Sequence, residues 1–189
     1  MRVIAGKFRS RPLRSLPGMD LRPTADRLRE TLFNVLGAGN PTVFEGKLWL
    51  DLCAGTGAVG IEALSRGAAQ VYFVESSAAA ASLIRRNLDS LGVESGFEVV
   101  REDVARVLPK LEARNVTADF IFLDPPYRME KVYVQVLQAL SQSPLLAPDA
   151  VLIVEHDKRF DPGDGSAPLL RYRKLEQGDA VLSFYRVLR

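Results

Sequence analysis

From Lys47 onward the chain alternates short, almost wholly apolar β-rich runs with stretches of helical periodicity, and that alternation leaves few folds open. The apolar runs cover residues 48–52, 71–74, 97–100, 120–123 and 151–154; helical patterns fill 59–65, 78–91, 104–111 and 131–140. A strand with one solvated face alternates apolar and polar residues, whereas a run without that alternation must be covered on both faces. Five such units predict an α/β fold with a mostly parallel sheet and helices on both faces. Residues 169–175 and 180–188 depart from the pattern. Only the Gly178-Asp179 turn divides their apolar runs, which predicts a closing antiparallel hairpin and a seven-stranded sheet.

A chain of 189 residues suits one folding unit that buries about 70% of its unfolded surface. Its 47% hydrophobic and 25% charged residues exclude a disordered or membrane-spanning class. Cys53 is the only cysteine, so no internal disulfide forms. The Met1-Arg2-Val3-Ile4 start leads into basic residues and not into a secretory apolar segment. A cytoplasmic, monomeric protein is the expectation.

The net charge of +2 hides an asymmetry. Residues 1–30 hold eight basic residues against three acidic ones, and the remainder holds seventeen against twenty. A basic arm on a slightly acidic body suits a polyanionic partner, because Lys and Arg neutralise phosphates and release counterions. Arg2, Lys7, Arg9, Arg11, Arg14, Arg22 and Arg27 are the candidate contacts to that polyanion. The competing reading is a solvated tail. Residues 2–16 read as a hairpin or extended arm ending at the Pro17-Gly18 turn. A helix is expected over 24–36: Thr24 can cap it, Asp26 lies in its first turn, and Leu28, Leu32, Val35 and Leu36 recur at helical spacing. Residues 1–46 are thus expected to form a basic extension and 47–189 the main domain.

Asp51-Leu52-Cys53-Ala54-Gly55-Thr56-Gly57-Ala58-Val59-Gly60 stands where the first central strand turns into a helix and contains G-x-G-x-x-G. Glycines there permit a tight turn and close approach of a ligand to helix N-terminal amides. The pattern alone fits nicotinamide and S-adenosylmethionine enzymes alike, or a bare strand-to-helix turn. Glu75 ends the next strand, where a carboxylate can accept from ribose hydroxyls. Asp51 favours S-adenosylmethionine, since an acid at that mouth repels a pyrophosphate but suits an ammonium group. Asp103, followed by Val104, comes after the third strand; it could read adenine, cap the next helix, or do both.

The fourth strand runs into Asp124-Pro125-Pro126-Tyr127. Consecutive prolines stiffen the backbone, remove two amide donors and leave carbonyls free to accept, which suits a fixed receptor for an NH2 group. Tyr127 offers a face on which an extruded base can stack.

These motifs resemble those of class I S-adenosylmethionine-dependent methyltransferases of the amino-methylating, D-P-P-Y kind, which implies a Rossmann-like fold. Arg2-Val3-Ile4-Ala5-Gly6-Lys7, Arg22-Pro23-Thr24 and Arg29-Glu30-Thr31-Leu32-Phe33-Asn34-Val35-Leu36 further resemble the N-terminal pattern of the bacterial RsmD family. Phe8-Arg9-Ser10-Arg11 departs from the glycine-containing basic run expected there.

The resemblance implies methylation of the exocyclic N2 of a guanine in 16S ribosomal RNA. The expected substrate is the small subunit or an assembly intermediate, with no metal and no membrane. It further implies that Asp51, Cys53, Ala54, Gly55, Thr56, Gly57, Glu75, Asp103 and Val104 hold the cofactor. Asp124, Pro125, Pro126 and Tyr127 would carry the chemistry, with Asp124 and the Pro125 carbonyl accepting the N–H bonds of the amine.

The rivals are an adenine-N6 methyltransferase, a nicotinamide-dependent oxidoreductase, and a catalytically idle RNA-binding protein on the same fold. His156 is expected at the surface or in loop pairing. Cys53 is explained by packing, Trp49 and Phe73 belong to the core, and Arg85-Arg86 form a solvated face.

Overall fold

The computed structural model describes residues 1–16 and 23–188. The Pro17-Gly18 turn and Arg22 lie outside the described residues, as does the side chain of Thr24.

Pro23–Leu36 forms α1, and β1 follows at Leu48–Leu52. Four further parallel strands alternate with helices: α2 Ala58–Ser65, β2 Gln70–Val74, α3 Ala78–Leu91, β3 Phe97–Val100, α4 Val104–Ala113, β4 Ala118–Leu123, α5 Glu130–Ser141 and β5 Leu146–Asp157. The chain closes with β6 Gly165–Ser166, β7 Leu169–Gln177 and β8 Ala180–Val187. The sheet order is β3-β2-β1-β4-β5-β8-β7-β6, with β8 antiparallel to both β5 and β7. The two-residue β6 is an eighth strand beyond the seven expected. No helix among the described residues is long and apolar enough to cross a membrane.

The strands are apolar throughout because successive side chains enter opposite layers. Trp49, Phe73, Phe120, Phe122 and Ile153 point into one cluster with Ile61, Ile84 and Leu88 of α2 and α3. Leu50, Leu52, Ile121, Leu123, Leu152 and Val154 point into the other, with Val107, Leu108, Tyr133 and Val136 of α4 and α5. Gly60 lies where α2 crosses β2; a methyl group there would overlap the Phe73 ring.

The N-terminal arm is part of this core and not a solvated tail. Val3, Phe8 and Leu13 are buried in the first cluster, beside Leu28, Leu32 and Phe33 of α1. The arm folds back on itself through Val3 N to Arg11 O (3.0 Å) and Ser10 N to Val3 O (2.9 Å). It is tied to α2 by Ile4 and Ala5 amides donating to the Glu62 carboxylate, and to α3 by the Arg14 amide donating to Asn87 Oδ1. Phe33 stacks on Trp49 at 5.3 Å between ring centroids, and Trp49 on Phe120 at 5.0 Å, which fixes α1 to the sheet.

His156 departs from its expected surface position. It lies within β5, fully buried, with Nε2 2.9 Å from Ser183 Oγ and Nδ1 3.0 Å from Asp157 O. Ser183 of the neighbouring β8 and the backbone of β5 itself supply what a buried imidazole needs.

Candidate active site

The strand order reverses direction at β1 and β4, and in open α/β sheets a crevice opens outside the carboxyl ends at such a point. A cavity of about 770 Å³ lies there. Asp51, Cys53, Ala54, Gly55 and Thr56 line its floor, with Phe122, Asp124, Glu155 and Leu182. Its roof comes from the arm and α1, through Met1, Arg2, Asp26, Leu28, Arg29 and Leu32. The N-terminal segment therefore encloses the site as well as presenting charge.

Local conformation builds the floor. Cys53 leaves β1 with φ 63° and Gly57 carries φ 77°, both left-handed, so the chain turns sharply into α2. Gly57 has no side chain to cap that helix. Asp51 does so from the strand, its Oδ2 accepting from the Gly60 amide at 2.8 Å. The Glu75 carboxylate bridges two loops, accepting from Gly55 N (2.9 Å) and Ser77 N (2.7 Å). Gly57 N donates to Ala54 O, and Ala54 N to Val74 O. The amides of Ala54, Gly55, Gly57 and Gly60 are therefore already engaged, and four carboxylates, Asp26, Asp51, Asp124 and Glu155, line the cavity. A pyrophosphate would meet acids where it needs amide donors, which counts against a nicotinamide dinucleotide.

Glu75 and Asp103 stand outside the cavity, after β2 and β3 on the same carboxyl edge of the sheet. Glu75 retains a second acceptor site on each oxygen. Asp103 is exposed and caps α4, accepting from Ala105 N at 2.9 Å, while Val104 is buried beneath it.

Asp124 continues the pairing of β4 with β1, its amide donating to Leu52 O at 3.2 Å, and so points its carboxyl at the cavity. Pro125 is buried and its carbonyl accepts from the Tyr133 hydroxyl at 3.0 Å, which leaves one lone pair for a second donor. Pro126 O accepts from Met129 N and closes the turn. Tyr127 is exposed at the rim, with its hydroxyl 3.4 Å from Glu155 Oε1.

Glu155 is the residue the sequence reading did not single out. It follows Val154, the partner of Leu123, so it stands beside Asp124 across β4 and β5. Burial pushes the Asp51 carboxyl up to about 7 and the Glu155 carboxyl up to about 7. Asp124 is raised well above the usual carboxylate range, first by burial and then by Glu155 and Asp51. Burial, followed by Asp124, raises the Cys53 thiol to about 12, so it is no nucleophile at neutral pH. Three acids crowded in a sheltered pocket call for a cationic occupant. A sulfonium and ammonium ligand such as S-adenosylmethionine fits that donor set.

Among the basic candidates, Arg2, Lys7, Arg9, Arg11, Arg14 and Arg27 are all exposed. Arg11 Nη2 donates to Ser90 O at 2.7 Å; Arg22 lies outside the described residues. Arg85 and Arg86 are exposed on α3, and Trp49 and Phe73 are buried.

The family model described as Conserved hypothetical protein 95 matches residues 1–186. The ribosomal RNA small subunit methyltransferase D of Haemophilus influenzae is 37% identical over 159 residues, covering 84% of this chain and 79% of its own. YlbH of Bacillus subtilis, named as a candidate rRNA methyltransferase, is 34% identical over 186 residues and 98% of each chain. The solved structure of yhhF, a candidate methyltransferase of Escherichia coli, matches with a TM-score of 0.82 at 29% identity, over 100% of this chain and 99% of that one.

Proposed function

The chain belongs to the Conserved hypothetical protein 95 family, which is that of the RsmD ribosomal RNA methyltransferases, and from that membership we propose that it methylates ribosomal RNA. The acceptor is the exocyclic N2 of a guanine in 16S ribosomal RNA, within the small subunit or an assembly intermediate. The methyl donor is S-adenosylmethionine. The observation that carries the reading is the meeting of Asp51 and Asp124 in one cavity, with Cys53 to Thr56 on its floor.

Asp51 and the turn from Cys53 to Thr56 hold the methionine part of the cofactor, with Glu75, Asp103 and Val104 along the same edge for its ribose and base. When bound, the cofactor supplies an electrophilic methyl group on a sulfonium. The rest of the work is positioning two reactants at attack distance and excluding water.

Guanine N2 is a weak nucleophile because its lone pair is delocalised into the ring. Asp124 accepts one N–H of the amine and the Pro125 carbonyl the other, which favours the charge developing on nitrogen. Tyr127 at the rim supplies a stacking face for a base extruded from its neighbours. The amine must also lose a proton. Asp124 and Glu155, adjacent and both raised above the usual carboxylate range by burial, are suited to take it. The exposed Arg2, Lys7, Arg9, Arg11, Arg14 and Arg27 meet phosphates around the opening.

Incubation with tritiated S-adenosylmethionine and small ribosomal subunits lacking their own modification tests the reading. Label in the 16S RNA is expected; a protein that binds no S-adenosylmethionine and labels no RNA would refute it.

A further inference from the structure

Of the four carboxylates that line the cavity, the fold supplies two with donors: Asp26 accepts from Arg29 Nη2 at 3.0 Å and Asp51 from the Gly60 amide at 2.8 Å. Asp124 and Glu155 differ. Among the described residues no group donates to the Asp124 carboxylate, and Glu155 receives the Tyr127 hydroxyl alone, at 3.4 Å on Oε1.

The two acids also point the same way. Phe122 and Ile153 face the first cluster, and Leu123 and Val154 the second. Side chains alternate along a strand, so Asp124 and Glu155 turn back to the first face, where both line the cavity. Leu123 and Val154 are register partners, which leaves the next two residues about one strand spacing apart, roughly 4.8 Å.

Two adjacent acceptors that lack donors suit a ligand with two adjacent donors. Guanine carries such a pair on its Watson–Crick edge, where the N2 amine and the N1–H share one ring carbon, and an extruded base is read at that edge. Adenine does not. Beside its N6 amine stands an unprotonated N1, whose lone pair an ionised carboxylate repels.

We propose that Glu155 is a specificity-determining residue that accepts the N1–H of the target guanine while Asp124 takes the neighbouring N2 amine, an inference that rests on the RNA methyltransferase reading above. Asp124-Pro125-Pro126-Tyr127 suits any exocyclic amine. Glu155 supplies the discrimination that the tetrapeptide lacks, because an adenine-N6 enzyme would need a donor at its place.

The test compares methylation of small subunits reconstituted from 16S RNA with guanine or 2-aminopurine at the methylated position. The analogue keeps the 2-amine but has an unprotonated N1 and no O6. Above the pH of about 7 at which Glu155 titrates, wild-type kcat/KM should favour guanine by at least about 100-fold, since a site built to accept a hydrogen bond rejects an analogue without the donor. Glu155→Gln is isosteric, and its amide can accept from N1–H or donate to an unprotonated N1. The ratio should therefore fall to within about tenfold, whatever the loss in overall rate. Glu155→Asp keeps an acceptor-only group and should retain most of the preference. Equal wild-type rates, or a full preference surviving in Glu155→Gln, would overturn the proposal. So would a folded Glu155→Gln that no longer binds S-adenosylhomocysteine, which would place Glu155 at the cofactor. A wild-type protein that methylates neither RNA would instead overturn the functional reading itself.

Discussion

Asp124, just beyond β4, and Glu155, near the carboxyl end of β5, stand side by side, each one residue beyond the paired Leu123 and Val154. Two acids that share a sheltered cavity lose their protons in steps that belong to the pair. Each has a different second neighbour: Asp124 feels Asp51, while Glu155 receives the Tyr127 hydroxyl at 3.4 Å.

Asp124→Asn keeps the shape of the pocket and one acceptor oxygen, but it loses the charge. Turnover should fall about 10²- to 10³-fold, the cost of removing one electrostatic interaction made in the transition state, while S-adenosylhomocysteine binds within a few-fold of wild type. Single-turnover methyl transfer and calorimetry check the two halves. Near-normal turnover would remove Asp124 from the mechanism.

The rate should depend on pH through the pair. A carboxylic acid accepts a proton only once ionised, so turnover rises as pH passes through about 7, where Glu155 titrates. Glu155→Gln removes the repulsion that helps hold Asp124 up, so the rising limb should move to lower pH as turnover drops about 10²-fold. A limb that stays in place would show that Glu155 does not couple to the reacting acid.

Asp51 makes a prediction about stability. Its carboxyl rises from 3.8 in the unfolded chain to about 7 in the fold, so the folded state binds the proton more tightly. That contribution is full below the unfolded value and is lost as pH rises through about 7. Asp51→Asn, which can still accept from the Gly60 amide, should gain melting temperature relative to the ligand-free wild type as pH rises across that window. Melting curves at a series of pH values check it. A difference that stays constant would mean that Asp51 is ionised throughout.

The arm should be tested by charge and not by deletion. Removing residues 1–16 would take Val3, Phe8 and Leu13 out of the core and open the cavity roof. Replacing Lys7, Arg9 and Arg14 with Gln leaves that packing intact. The slope of log affinity against log salt should become shallower by about 0.7 for each phosphate of single-stranded RNA that the protein no longer neutralises. Filter binding at several salt concentrations reads the slope, and an unchanged slope would place the RNA elsewhere.

Most of the sheet was legible because strands covered on both faces write their burial into consecutive residues. The runs 48–52 and 97–100 and the helix 78–91 coincide with β1, β3 and α3. The site was legible where one segment carries several of its groups, as in Asp51 to Gly60 or Asp124 to Tyr127. Glu155 was not, because a single acid after an apolar run acquires meaning only from the pairing of β5 with β4. His156 was misplaced for the same reason: its partner Ser183 comes from β8. The two residues of β6 have no strand signal of their own and are fixed by pairing with Leu169 and Leu170. In the arm, charge dominated the reading, although Val3, Phe8 and Leu13 recur at intervals of five and mark the side that packs.

The most direct test of the central claim is nucleoside mass spectrometry of 16S RNA methylated by this protein on unmodified small subunits. N2-methylguanosine, absent with Asp124→Asn, is the predicted product. N6-methyladenosine, or a methylated base formed equally well by that variant, would contradict the account.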